Sequence, residues 1–269
     1  MSDNGTTPEQ TLALLLRMLK LPSFAASYEE TAARAERGGW TFSQYLRHLC
    51  ETEAADRRER RILRLLKQSA LPVDKTLSTL DLSKLPTKVA RQLPNLCDGT
   101  FVTRGENVLA FGLPGRGKTH LVCAIGYELI QRSHPVLFTP TYLLVQRLLA
   151  AKRDLVLERE LKKLDQFDVV ILDDIGYVQQ DRDEMEVLFT FLAQRYERRS
   201  VVITSNLVFS QWDRIFKDPM TTAAAVDRLV HHSTILDMTG PSIRNEEAQA
   251  RKGKYSKKRA TRSAAQPQP

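Results

Sequence analysis

The stretch Asn107 to Gln131 constrains this chain more than any other. It reads NVLAFGLPGRGKTHLVCAIGYELIQ and joins an apolar run, a glycine-rich loop and a helix-like segment without a gap. The loop Gly112-Leu113-Pro114-Gly115-Arg116-Gly117-Lys118-Thr119 fits G-x-x-x-x-G-K-[ST] in a strand–loop–helix context. Each position has a physical task. The glycines let main-chain N–H groups close around phosphate oxygens. The following helix turns its positive end to the same anion. Lys118 reaches the β- and γ-phosphates, and Thr119 sets its hydroxyl on Mg²⁺. Gly112 to His120 is therefore the expected nucleotide-binding element, with ATP and Mg²⁺ as its ligands.

The surrounding chain has the texture that such a loop needs. Short apolar runs at Val108 to Phe111, Val136 to Phe138, Val169 to Leu172 and Val201 to Thr204 alternate with helical patterns. This is the signature of a parallel sheet covered by helices on both faces, an α/β fold. Before it, from about Pro8 to Ser69, there is almost no Gly or Pro apart from Pro22 and the pair Gly38-Gly39, and Leu12, Leu15, Leu16 and Leu19 recur at helical spacing. Thr41 looks like the N-cap of a long charged helix over Ser43 to about Lys67. The spacing predicts a small all-helical N-terminal domain over 1–70. A linker follows over 71–103, with prolines at 72, 86 and 94 and one short helix near Thr87 to Gln92. The nucleotide-binding domain spans 104–245, and a basic, disordered tail spans 246–269.

Three further segments bear on the chemistry. Val169-Val170-Ile171-Leu172-Asp173-Asp174 is a buried strand that delivers two carboxylates at its C-terminal end, where ligands sit in open α/β sheets. Asp173 is expected to hold Mg²⁺, and Asp174 to orient or deprotonate the attacking water. Asp165 and Asp168, before the strand, read as turn residues at its far end. Val201 to Asn206 is a second such strand, and Asn206 can touch the γ-phosphate or the water. Arg228, in AVDRLVHH, is a cation that could reach the γ-phosphate of a neighbouring subunit or simply pair with Asp227. His231 and His232 are adjacent, have no acid or Cys at metal-ligand spacing, and read as structural.

Charge bears on partners. Lys and Arg number 40 against 32 Asp and Glu, a net charge of +8, which suits an anionic partner such as nucleic acid. Arg57, Arg61 and Arg64 share a helix face, with Arg58, Arg60 and Lys67 nearby. A solvated face balanced by Asp56 and Glu59 is the alternative. The tail adds Arg251, Lys252, Lys254, Lys257, Lys258, Arg259 and Arg262. No aromatic residues are interleaved with either segment, so the expected contact is with duplex DNA, through its backbone and largely independent of sequence. Cys50, Cys97 and Cys123 are too dispersed for a zinc site and suit reduced thiols in a cytoplasmic protein. No apolar run reaches the ~20 residues of a membrane span.

The order of motifs, GRGKTHL, LDDIGYVQ, LAQRYERRSVVITSN, FSQWDRIFKD and AAAVDRLVHH, resembles the IstB-like family, the ATP-binding helper proteins of insertion sequences. The likeness covers roughly Glu106 to Arg244, and more loosely the helical N-terminal region. It implies an AAA+ ATPase core, close to DnaC-type helicase loaders and initiator ATPases, assembled head-to-tail with ATP between subunits in a ring or spiral. It places Arg228 at the arginine-finger position and Asn206 at the sensor-1 position. It also implies stimulation of a partner transposase, selection or deformation of target DNA, and ATP hydrolysis that controls assembly. The N-terminal helices would then serve assembly, DNA contact or transposase contact. A DnaC-type replicative helicase loader, and a nucleotide-gated DNA scaffold with negligible turnover, are the alternatives. The chain departs from the pattern in three places. Asp174 stands where AAA+ proteins usually have Glu. Arg244 stands where the family often shows Tyr-Arg-Leu, so its sensor-2 role is open. Arg116 occupies a position often held by Thr or Ser, where variation is expected to be tolerated because the backbone does the binding.

Overall fold

The computed structural model describes residues 8–177, 182–207, 211–212, 227 and 229–238. The chain divides into two compact units, residues 1–64 and 65–269.

The first unit holds α1 (Pro8–Met18), α2 (Pro22–Gly38) and most of α3 (Phe42–Ser69), within which the division falls. Helix α3 starts where Thr41 suggests. Thr41 Oγ1 accepts from Gln44 N at 3.3 Å, and Gln44 Oε1 accepts from Thr41 N at 2.8 Å, a reciprocal capping box. A buried carboxylate, Glu53 on α3, fastens the unit. It accepts from Ser23 N at 2.8 Å, at the first turn of α2, and pairs with Arg57 at 2.7 Å and Arg60 at 3.4 Å. Arg57 also donates to Lys20 O, in the turn between α1 and α2. Two cations of the presumed phosphate-following stripe are thus committed to internal pairing.

The second unit opens with 3₁₀ turns at Leu77–Thr79 and Leu82–Lys84, then α4 (Thr87–Asp98) and α5 (Thr100–Thr103). The sheet strands are β1 (Asn107–Phe111), β2 (Val136–Pro140), β3 (Val169–Asp173), β4 (Ser200–Ser205) and β5 (Ser233–Asp237). They are ordered β2-β3-β4-β1-β5, every pairing parallel. Between them run α6 (Lys118–Gln131), α7 (Thr141–Arg153), α8 (Leu157–Leu164), a 3₁₀ turn at Ile175–Tyr177 and α9 (Arg182–Arg195). Leu109, Val170, Leu172, Val201 and Ile203 are fully or almost fully buried between the helical layers, which explains the unbroken apolar runs.

Two features differ from the sequence expectation. The segment 71–103 is less of a linker than its prolines suggest. Helix α4 runs past Gln92 and through Pro94 to Asp98, and packs on α6. Burial of Val89, Leu93, Leu96 and Cys97, at about 1.5–3 kcal/mol for a fully buried large apolar side chain, outweighs the ~3 kcal/mol of an interior proline. Strand β5 carries no apolar run. It is an edge strand in which Leu236 is buried while Ile235 stands 41% exposed.

Asp165 and Asp168 lie at the far end of the sheet from the glycine loop, around the fully buried Arg195. Its guanidinium donates to the carbonyls of Leu164, Phe167, Asp168 and Ser200 at 3.0–3.2 Å. Burial pulls its pKa down to about 10, still high enough to keep the charge at neutral pH. Asp165 pairs with Arg198, and Asp168 with Arg199 and His134. Among the described residues no helix is long and apolar enough to cross a membrane.

Candidate nucleotide site

The loop after β1 turns back over the sheet because its glycines permit it. Gly117, at φ 80°, is the N-cap of α6. Gly112 lies so close to the end of β5 that a Cβ there would meet Met238 O at 2.6 Å. Lys118 is buried, and its Nζ donates to Gly112 O at 2.7 Å and Leu113 O at 3.1 Å, so the ammonium spans the mouth of the loop.

Arg116, where variation is expected to be tolerated, is enclosed by its surroundings. The side chain is 5% exposed, and its Nε donates to Met238 O at 3.0 Å. The loop is therefore fastened to the end of β5 by a side chain as well as by close backbone contact.

Thr119 and Asp173 come together across 54 residues of sequence. The threonine hydroxyl donates to Asp173 Oδ1 at 2.9 Å, with Oδ2 at 3.2 Å. A hydroxyl beside a carboxylate is a set of hard oxygen donors, which fits Mg²⁺. Asp173 is the last residue of β3, and its own carbonyl accepts from Thr141 Oγ1 at 3.0 Å. Asp174 follows with φ 62°, a left-handed conformation that breaks the strand and starts the Ile175–Tyr177 turn. Asn206 stands one residue beyond β4. The buried Oδ1 of its amide has no hydrogen-bond partner among the described residues.

These groups face a cleft of about 330 Å³ at the C-terminal end of the sheet, lined by Pro114 to His120, Asp174, Thr204 and Asn206. The opposite wall was not foreseen. Lys75, Leu80, Asp81 and Lys84, around the two 3₁₀ turns, close the cleft from the side of the presumed linker. His120 connects the walls, its Nε2 lying 3.1 Å from both Thr76 O and Thr79 Oγ1. No motif announces this wall, because its residues act through contacts some forty positions away. Thr204 was missed for the same reason. Below the cleft, burial and the nearby Asp173 push the Cys123 thiol up to about 12, and burial pushes Cys97 to about 11. Both stay protonated at neutral pH.

Arg228, Arg244 and the basic tail lie outside the described residues. His231 and His232 are exposed in a turn before β5. The fold brings to them an acid that sequence spacing did not reveal: His232 Nε2 lies 3.5 Å from Glu197 Oε1, while His231 Nδ1 lies 3.3 Å from the Tyr196 hydroxyl.

Comparison with known proteins agrees with this geometry. The family model described as IstB-like ATP binding protein matches residues 14–251. An insertion-sequence ATP-binding protein of Sinorhizobium fredii is 42% identical over 265 residues, covering 97% of this chain and 89% of that protein. Another, from Pseudomonas aeruginosa, is 38% identical over 239 residues, covering 88% of this chain and 89% of its own length. Among solved structures, the DnaC helicase loader superposes with a TM-score of 0.54 at 18% identity, covering 62% of this chain and 98% of the loader. DnaI superposes with a TM-score of 0.53 at 21% identity, covering 64% and 96%. The core has the AAA+ fold that these structures share. With its phosphate loop, paired acids and 42% identity to an insertion-sequence relative, the chain belongs to the IstB-like ATP-binding protein family.

Proposed function

We propose that this protein is the ATP-hydrolysing helper of a transposition system, which assembles on duplex DNA, deforms or selects the target and stimulates a partner transposase. One observation carries the nucleotide chemistry: Lys118, Thr119, Asp174 and Asn206, from three separate stretches of chain, line one cleft, and Asp173 is hydrogen-bonded to Thr119 at its edge. The insertion-sequence relatives support the biological setting.

In this proposal main-chain N–H groups of Gly112 to His120 and the start of α6 bind the phosphates. Lys118 exchanges its two carbonyl partners for phosphate oxygens. Thr119 and Asp173 would hold Mg²⁺, which would supply positive charge against the triphosphate. Asp174 takes a proton from the attacking water as its oxygen bonds to the γ-phosphorus and the bond to the bridging oxygen breaks, giving ADP and phosphate. Asn206 orients that water or the γ-phosphate. Arg228, reaching from a neighbouring subunit, stabilises the transferring phosphoryl group, so hydrolysis depends on assembly.

The decisive experiment images the protein with duplex DNA and a non-hydrolysable ATP analogue, alongside calorimetry and phosphate release. Lys118→Ala is expected to weaken ATP binding at least about tenfold and to remove nucleotide-dependent assembly. Assembly by Lys118→Ala with unchanged nucleotide dependence would overturn the proposal. Preference for single-stranded DNA would favour a helicase loader, and assembly without phosphate release would favour a scaffold.

A further inference from the structure

A single hydroxyl touches both Asp173 and Asp174. Thr204 lies on β4, 1% exposed, in the strand that pairs with β3 in parallel register. Its Oγ1 donates to Asp173 Oδ1 at 2.7 Å and accepts from the Asp174 main-chain N–H at 2.8 Å. A hydroxyl has one proton to give and lone pairs to receive, and both capacities are used here. We propose that Thr204 is a positioning residue of the nucleotide site, setting the carboxylate of Asp173 and the backbone turn at Asp174 through these two bonds. The inference rests on the hydrolytic reading of that site.

The geometry gives each bond a consequence. Thr119 and Thr204 both donate to Asp173 Oδ1, so that oxygen is fixed from two sides and the carboxylate plane is set. Asp174 has φ 62°, which a non-glycine residue seldom adopts without support. The bond from its N–H to Thr204 supplies that support. Without it the strand end can relax, and the Asp174 carboxylate loses its aim. An apolar side chain of the same shape would fill the space and lose both bonds. Serine would keep them.

The test uses the full chain as Thr204→Val, Thr204→Ala and Thr204→Ser. Three measurements are made: thermal unfolding, ATP affinity by calorimetry in EDTA and in Mg²⁺, and phosphate release on duplex DNA. In Thr204→Val, ATP affinity in EDTA is expected to stay within about threefold of the wild type, while the gain on adding Mg²⁺ shrinks at least about fivefold. The kcat is expected to fall at least about tenfold while KM in Mg²⁺ rises only by the factor lost from the Mg²⁺ gain, and Thr204→Ser to recover most of both losses. Thr204→Ala carries the same readouts if the valine variant does not fold. A wild-type Mg²⁺ gain and kcat in the hydroxyl-free variants would overturn the inference, as would a serine variant no better than valine. A wild-type chain that binds ATP but releases no phosphate would count against the hydrolytic reading alone, because the Mg²⁺ gain still tests Thr204.

Discussion

At the scale of single residues, Gly176 leaves room for the amide of Asn206. A Cβ on it would stand 2.2 Å from Asn206 Oδ1, well inside contact distance. Gly176→Ala must therefore displace the amide of Asn206. Phosphate release is expected to drop at least about tenfold while ATP affinity changes little, a split that steady-state kinetics and calorimetry together will reveal. Equal turnover in variant and wild type would remove Asn206 from the chemistry. That Lys118, Thr119 and Asp173 lie together was legible in the sequence, because a glycine loop and a strand end mark them. Thr204 and Arg116 were not, since their partners lie 31 and 122 positions away and nothing local marks them.

At the scale of elements, β1 to β4 could be read from their apolar runs because central parallel strands are buried on both faces. Strand β5 could not, because an edge strand needs only Leu236 inside. Helix α4 was cut short by the weight given to Pro94, which buried neighbours override. The capped start of α3 was visible in Thr41, but the answering side chain of Gln44 and the helix's central carboxylate were not. Burial by itself would raise the Glu53 carboxyl. The hydrogen bonds from Arg57 and the Ser23 N–H outweigh it and hold the group below the usual carboxylate range. A carboxyl with a lower pKa folded than unfolded adds stability above its unfolded pKa of about 4.3 and loses it as pH falls through the folded pKa. Glu53→Gln is expected to cost the helical unit about 1–3 kcal/mol at pH 7 and to flatten its acid dependence below about pH 4. Urea unfolding followed through Trp40, the tryptophan of that unit, measures both. A variant with wild-type stability at pH 7 would mean the carboxylate is idle.

For the whole molecule, the division at Arg64 and Leu65 separates a helical unit from the unit that holds the cleft beside the glycine loop. Ligand that binds only the folded second unit should stabilise that unit by about 2.7 kcal/mol at a hundredfold excess over its dissociation constant. Differential scanning calorimetry with ATP and Mg²⁺ is expected to move the transition of residues 65–269 upward and leave that of residues 1–64 in place. A shift of both together would mean that the two melt as one. Within the second unit, the backbone carbonyl of Met238 presses on Gly112 and is grasped by Arg116. The exit of β5 is thereby moored to the loop proposed to cradle the triphosphate, so a shift of that loop on binding is expected to reach the strand. A fluorine label carried on residue 238 would sense occupancy from behind the loop, without touching the nucleotide.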